Sequence, residues 1–252
     1  MRFASLGSGS KGNATLVQEG RTCLLIDNGF SLRELERRLA RLGLTAEAIT
    51  AVLVTHEHGD HIGGVGTLAR KYGLPVWATR GTVAGGQLGR LPDWRPLDVH
   101  ETLAIGDLAV QAYPVPHDAR EPCQFVFGNG AVRLGLLTDA GSITTHIRDR
   151  LAGVEALILE CNHDETLLAR GSYPPSLKQR VGGRFGHLSN AQAAELLGQI
   201  ESGALRHVVA AHLSEQNNTA HHARLALGEA LGCQPEWIGV ADQKNGCAWR
   251  EL

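Results

Sequence analysis

Apolar residues along this chain come in two rhythms, and each predicts a different element. Short unbroken or alternating runs predict strands at 3–6, 14–18, 21–27, 51–54, 75–79, 108–115, 124–127, 132–137, 156–159, 207–211, 237–240 and 247–249. Spacings of three and four predict helices. Leu32, Leu35, Leu39 and Leu42 form one such stripe, opened by Ser31 with Glu34 in the capping-box position and closed by Gly43. Ser189 with Gln192 opens a second helix, running through Ile200, and a third spans 220–231. A helix-like run follows Gly63-Gly64 to Tyr72, and a weaker one covers 81–88. Asn129-Gly130 between two strands is a hairpin signal. Residues 171–186, rich in Gly, Pro and basic side chains, read as a long loop. In both halves strands come first and then alternate with helices, which suits two packed sheets with helices on their outer faces. With no linker or low-complexity stretch, residues 1–252 read as a single domain.

Composition narrows the function classes. Lys and Arg number 24 against 26 Asp and Glu, which excludes a generally basic nucleic-acid coat while leaving room for a local patch. No window approaches the roughly 18 apolar residues of a membrane span. The first residues turn polar and Gly-rich at once, unlike a signal peptide. The 5 cysteines are scattered and form no C-x-x-C pair, so reduced thiols and a cytoplasmic location are expected. Nothing in the pattern specifies an oligomeric state.

The chemistry gathers at Thr55-His56-Glu57-His58-Gly59-Asp60-His61. Four ligand-type residues in H-x-H-x-D-H spacing follow a buried strand and precede Gly63-Gly64. Imidazole and carboxylate donors suit zinc and related divalent ions. His117, Asp139 and His212 each stand just after a separate predicted strand. Seven donors at strand ends are too many for one tetrahedral ion and suit two ions sharing a carboxylate. Gly7-Ser8-Gly9-Ser10-Lys11-Gly12-Asn13 reads either as an anion cradle of backbone N–H groups with Lys11 adding charge, or as a plain Gly-rich turn. His163, in a polar run after a strand, lines a pocket or lies on a solvated loop. Lys178, Arg180 and Arg184 either contact a nucleic-acid backbone or are solvated, and Tyr173 is a single candidate for stacking on a base.

H-x-H-x-D-H, the later lone His117, Asp139 in a T-D-x-G context and His212 after a strand resemble the ligand series of the metallo-β-lactamase-fold hydrolases. The resemblance spans nearly the whole chain and implies an α/β fold, a four-layer αββα sandwich with a dinuclear site at one edge. It implies that His56, His58 and His117 hold one ion, that Asp60, His61 and His212 hold the other, and that Asp139 bridges them. Zinc is the expected metal, with manganese compatible. Gly9-Ser10-Lys11-Gly12-Asn13, Pro116-His117-Asp118-Ala119, Glu160-Cys161-Asn162-His163-Asp164, Gly186-His187-Leu188-Ser189-Asn190 and His212-Leu213-Ser214 look like the YycJ/WalJ-type branch. That branch implies an exonuclease on DNA or RNA, with nucleic acid as its substrate. It further implies in-line attack on phosphorus by a hydroxide between the ions, Asp60 orienting that hydroxide and His187 protonating the leaving group. The substrate-binding residues expected with it are Lys11, Asn13, His163, Lys178 and Arg184. Two rival activities on the same fold are hydrolysis of a small cyclic phosphodiester and hydrolysis of a thioester or lactone. Compactness and near-neutral charge favour the first rival over the nuclease; the basic segment favours the nuclease.

Overall fold

The computed structural model describes residues 1–252. Its first sheet is built from β1 (Arg2–Gly7), β2 (Ala14–Glu19), β3 (Thr22–Ile26), β4 (Ala51–Leu53), β5 (Pro75–Ala78) and β6 (Asp93–Pro96). The second contains β7 (Thr102–Ile105), β8 (Leu108–Pro114), β9 (Cys123–Gly128), β10 (Arg133–Leu137), β11 (Ala156–Glu160), β12 (His207–Ala211) and β13 (Gly239–Val240), while β14 (Cys247–Glu251) returns to pair with β1. The strand orders are β14-β1-β2-β3-β4-β5-β6 and β13-β12-β11-β10-β9-β8-β7.

Apolar residues on alternate sides of each strand settle the layers. Phe3, Val17, Leu24 and Leu53 of the first sheet meet Val110, Phe125, Phe127, Leu136 and Ile158 of the second in a shared core. Their sequence neighbours face outward. Leu16, Leu25, Val52 and Val76 pack under α1 (Leu32–Arg41) and α3 (Val65–Tyr72). Leu137, Leu157, Leu159 and Val208 pack under α5 (Thr145–Leu151), α8 (Asn190–Gln199) and α9 (Ala220–Leu231). Strands buried on both faces explain the unbroken apolar runs at β3, β4 and β11.

Strand direction then determines where the chemistry can go. β3 to β6 run parallel, as do β10 to β13. β8 and β10 both run antiparallel to β9 and therefore share a direction. Likewise β1 shares the direction of β3 through the antiparallel β2. Loops after β1, β3, β4, β8, β10, β11 and β12 thus leave at carboxyl ends, where open α/β sheets form their crevices.

The stretch expected as a long loop differs most. It contains α7 (Pro175–Val181), preceded by α6 (Glu165–Arg170). None of the residues of α7 is buried, so it carries no apolar stripe and no periodic signal. The last two expected strands also shift: Pro235–Trp237 forms a 3-10 turn that shortens the first to β13, while the second runs on to Glu251 as β14. No helix is long and apolar enough to cross a membrane.

Candidate metal centre

The His-rich turn is held in place by backbone contact. A Cβ at Gly29 would fall on the Asp60 carbonyl, and one at Gly64 on the Phe30 carbonyl, so only glycines let the turn press against the segment after β3. His58 precedes α2 (Gly59–Ile62), which carries Asp60 and His61.

Three imidazoles meet on one side. His58 Nδ1 lies 3.0 Å from His56 Nε2 and 3.3 Å from His117 Nε2. On the other side, Asp60 Oδ2 lies 3.7 Å from His61 Nε2 and 3.8 Å from His212 Nε2. Asp139 stands between them. Its Oδ2 is 3.3 Å from His61 Nε2, its Oδ1 is 3.5 Å from His212 Nδ1, and it groups with His56 as well. All seven residues expected to bear donor atoms therefore come together.

A layer of hydrogen bonds aims these rings, as metal-ligating imidazoles require. His61 Nδ1–H donates to Asp27 Oδ2 at 2.8 Å. The Thr55 hydroxyl donates to the same oxygen and accepts from His56 Nδ1–H. His117 Nδ1–H donates to the Gly186 carbonyl at 3.0 Å. Fully buried Glu160 accepts from His187 Nδ1–H at 2.8 Å and His212 Nδ1–H at 3.2 Å, both on Oε1. Its Oε2 accepts from the Ala140 and Leu188 backbone. The motifs assign Asp27 and Glu160 no role, yet each is a carboxylate at the end of an apolar strand, the signal that marks Asp139.

The residues at these strand ends are also strained. Asp27, Asp139 and His212 hold φ of 60°, 52° and 54°. Such a left-handed backbone costs of order 1–3 kcal/mol per non-glycine residue and persists only where the surroundings impose it.

The group fits a divalent cation by its own polar accounting. Asp139 Oδ2 and His212 Nε2 are buried without a hydrogen-bond partner. Three imidazole nitrogens facing one another within 3.3 Å of His58 Nδ1 cannot all find a proton to share, and a cation satisfies them together.

The charges respond accordingly. Burial, then the neighbouring imidazoles, pushes His56 well down, and burial likewise lowers His117 despite Asp139. Burial also opposes charge on His61 and His212, but the carboxylates outweigh it. Asp139, Asp27 and Asp60 hold His61 at about 9, and Asp139, Asp60 and Glu160 hold His212 well above its usual value. Burial raises Asp60, Asp139 and Glu160, and the facing imidazoles pull all three below the usual carboxylate range.

A measurable consequence follows for metal binding. Below its folded value of about 9, His61 carries a proton that an incoming metal must displace, and His212 behaves likewise. Calorimetry at pH 7 in buffers of different ionisation enthalpy should show about two protons released, with apparent affinity rising about tenfold per pH unit for each proton displaced. Affinity independent of pH between 7 and 9 would contradict this charge state. In the metal-free chain the same raised value stabilises the fold fully below 6.5, and that stabilisation is lost as pH rises through about 9.

Beside the cluster lies a cleft of about 390 Å³ lined by Ser10, His58, Asp60, Asp118, Asp139, Tyr173, Leu177, Arg180, Val181, His187 and His212. His187 is therefore at the cleft, next to the cluster. Asn13 is not a cleft residue but packs on the cluster, its Nδ2 3.1 Å from His61 Nε2. Lys11 pairs with Glu215 outside the cleft. His163 is buried beside Asn162 and does not reach it. Lys178 caps α6 through the Ala169 carbonyl, and the Arg184 guanidinium lies over Phe185. Of the basic residues on this segment, Arg180 is the one that lines the cleft.

Residues 22–213 match the beta-lactamase superfamily domain. The chain is 35% identical over 246 residues to exodeoxyribonuclease YycJ of Bacillus anthracis, covering 96% of this chain and 92% of that protein. It is 33% identical over 249 residues to exodeoxyribonuclease WalJ of Streptococcus pneumoniae, covering 95% and 91%. The chain belongs to the YycJ/WalJ family of metallo-β-lactamase-fold hydrolases. The fold of YhfI from Bacillus subtilis superposes on all of this family member with a TM-score of 0.75 at 16% identity, matching 99% of that chain. The four-layer αββα class expected from the motifs is thus the observed one, and the clusters of His and Asp suit divalent metal.

Proposed function

We propose that this YycJ/WalJ-family chain is an exodeoxyribonuclease that hydrolyses DNA phosphodiester bonds at a centre for two divalent ions, zinc or manganese. The observation that carries the reading is the meeting of two donor sets at one shared carboxylate, Asp139. His56, His58 and His117 would hold one ion, Asp60, His61 and His212 the other, and Asp139 both. The exodeoxyribonuclease relatives support DNA as the substrate. The cysteines, scattered without a pairing pattern, support a cytoplasmic location.

Metal bound there would activate water and offset charge building on a phosphoryl oxygen. The chain's own side chains do the rest. Asp60, which lines the cleft, orients the attacking water. His187 has its Nδ1–H committed to Glu160, which leaves Nε2 to give a proton to the leaving oxygen. The buried Glu160 carboxylate holds the ring in the orientation that role needs.

The test is direct. Purified protein with zinc or manganese is offered labelled single- and double-stranded DNA, RNA, a 2′,3′-cyclic nucleotide and a thioester. Progressive shortening of DNA is expected; turnover of the cyclic nucleotide or thioester alone would sink the proposal. His187→Ala should lower kcat by about 10²–10⁴-fold with metal content unchanged. Loss of metal from that variant would make His187 a ligand and remove it as the acid.

A further inference from the structure

We infer that α7 and the turn from it to His187 form the grip for a polynucleotide, with Phe185 as a base-stacking platform and Arg180 as a phosphate contact. The inference rests on the exodeoxyribonuclease reading and names the residues by which that site would hold a chain longer than one phosphodiester.

Phe185 is the most exposed of the large apolar side chains, at 55%. Its backbone is nevertheless fixed. The Phe185 carbonyl accepts from Asp118 N–H at 3.0 Å, and the next carbonyl, of Gly186, accepts from His117 Nδ1–H. His187 N–H then donates to the Val181 carbonyl, and a Cβ at Gly186 would strike the carbonyls of Arg180 and Val181. This tight return locks the position of Phe185 between two residues of the reaction centre, His117 and His187. An apolar ring left exposed on a backbone fixed next to that centre gains little from the fold. It offers a flat face at low entropic cost, and base–aromatic stacking tolerates any base. The Arg184 guanidinium, 5.8 Å from the ring centroid, adds positive charge at the same place.

Arg180 supplies the second contact. Its side chain lines the cleft, is 63% exposed and donates from Nε to Asp118 Oδ2 at 2.7 Å. An exposed pair of this kind contributes little, so Arg180 can exchange it for a phosphate oxygen at small cost. The guanidinium also offsets Asp118, the one carboxylate lining the cleft that is not a proposed metal ligand. Leu177, Arg180 and Val181 share one face of α7 by their spacing of three and four, and Tyr173 joins them on the cleft wall. A helix with no buried residue is thus explained by what it presents rather than by what it covers.

The experiment uses the metal-loaded protein and a fluorescent, phosphorothioate-linked thymidine 12-mer. Anisotropy gives Kd across a salt series, and the ordinary 12-mer gives KM and kcat. Phe185→Ala should weaken binding about tenfold or more and raise KM, with kcat much less affected. Phe185→Trp should restore affinity, whereas Phe185→Leu, apolar but without a π face, should not. Arg180→Gln should lower the slope of log Kd against log salt by about 0.7, the loss of one phosphate contact on a single strand. Metal content and Tm of each variant establish that the fold is intact. Wild-type DNA cleavage with unchanged Kd in Phe185→Ala and Arg180→Gln overturns the grip alone. Failure of the wild type to bind or cleave the 12-mer overturns the nuclease reading and the grip with it. A change of oligomeric state in Phe185→Ala, with affinity per chain retained, would make the ring a subunit contact and overturn its stacking role.

Discussion

Asp139→Ala should strip the reaction centre of at least one metal ion and abolish most of its activity. Asp139 is the residue whose carboxylate approaches His61 by one oxygen and His212 by the other, while also grouping with His56. Removing it deletes a donor to both proposed ions and leaves His61 and His212 without their largest favourable charge. Metal per chain, measured by elemental analysis after gel filtration, should fall from two to one or none. Loss of charge stabilisation of several kcal/mol in the transition state corresponds to a rate reduction on the order of 10³-fold. The strained backbone adds a second cost, because alanine has no side-chain contact to offset φ of 52°. Full retention of both ions would show that Asp139 does not bridge.

Glu160→Gln is expected to give the second-largest loss, although Glu160 is no proposed ligand. One buried carboxylate accepts from His187, His212, Ala140 and Leu188. Glutamine keeps one acceptor oxygen and turns an NH2 group towards donors that already carry protons. That mismatch in a dry site costs about 1–3 kcal/mol of stability. Misaimed His212 should weaken metal affinity about 10–100-fold, as for other outer partners of ligating imidazoles. Misaimed His187 should lower kcat even at saturating metal. A variant with wild-type kcat and metal affinity would reduce Glu160 to a packing residue.

Much of this architecture is legible before any coordinates. Apolar runs mark the strands because β3, β4 and β11 are buried on both faces, and the Leu32–Leu35–Leu39 stripe marks α1 because it has only one. Short-range rules decide such elements, so a window of residues suffices. The donor residues stand out for a related reason: a polar ligand-type residue immediately after a buried strand has few other reasons to be there. Asp27 and Glu160 obey the same rule, but a lone carboxylate does not say which imidazole it will face. Helix α7 escapes because it buries nothing, and hydrophobic periodicity is the signal of burial.

Within that segment the basic residues illustrate where local reading ends. Lys178, Arg180 and Arg184 look equivalent in the sequence. Once the stretch is wound into a helix, the face holding Leu177, Arg180 and Val181 meets the cleft, while Lys178 turns to the end of α6 and Arg184 lies beyond the helix. The chain order alone therefore settles most of the buried strands, the donor chemistry and the family. Pairing of the donors, the clamp by Glu160 and Asp27, and the choice of Arg180 at the cleft arise only when seven strands bring their carboxyl ends to one edge. Those include contacts between residues 152 positions apart, as between Asp60 and His212, and no local pattern can encode a distance across the fold.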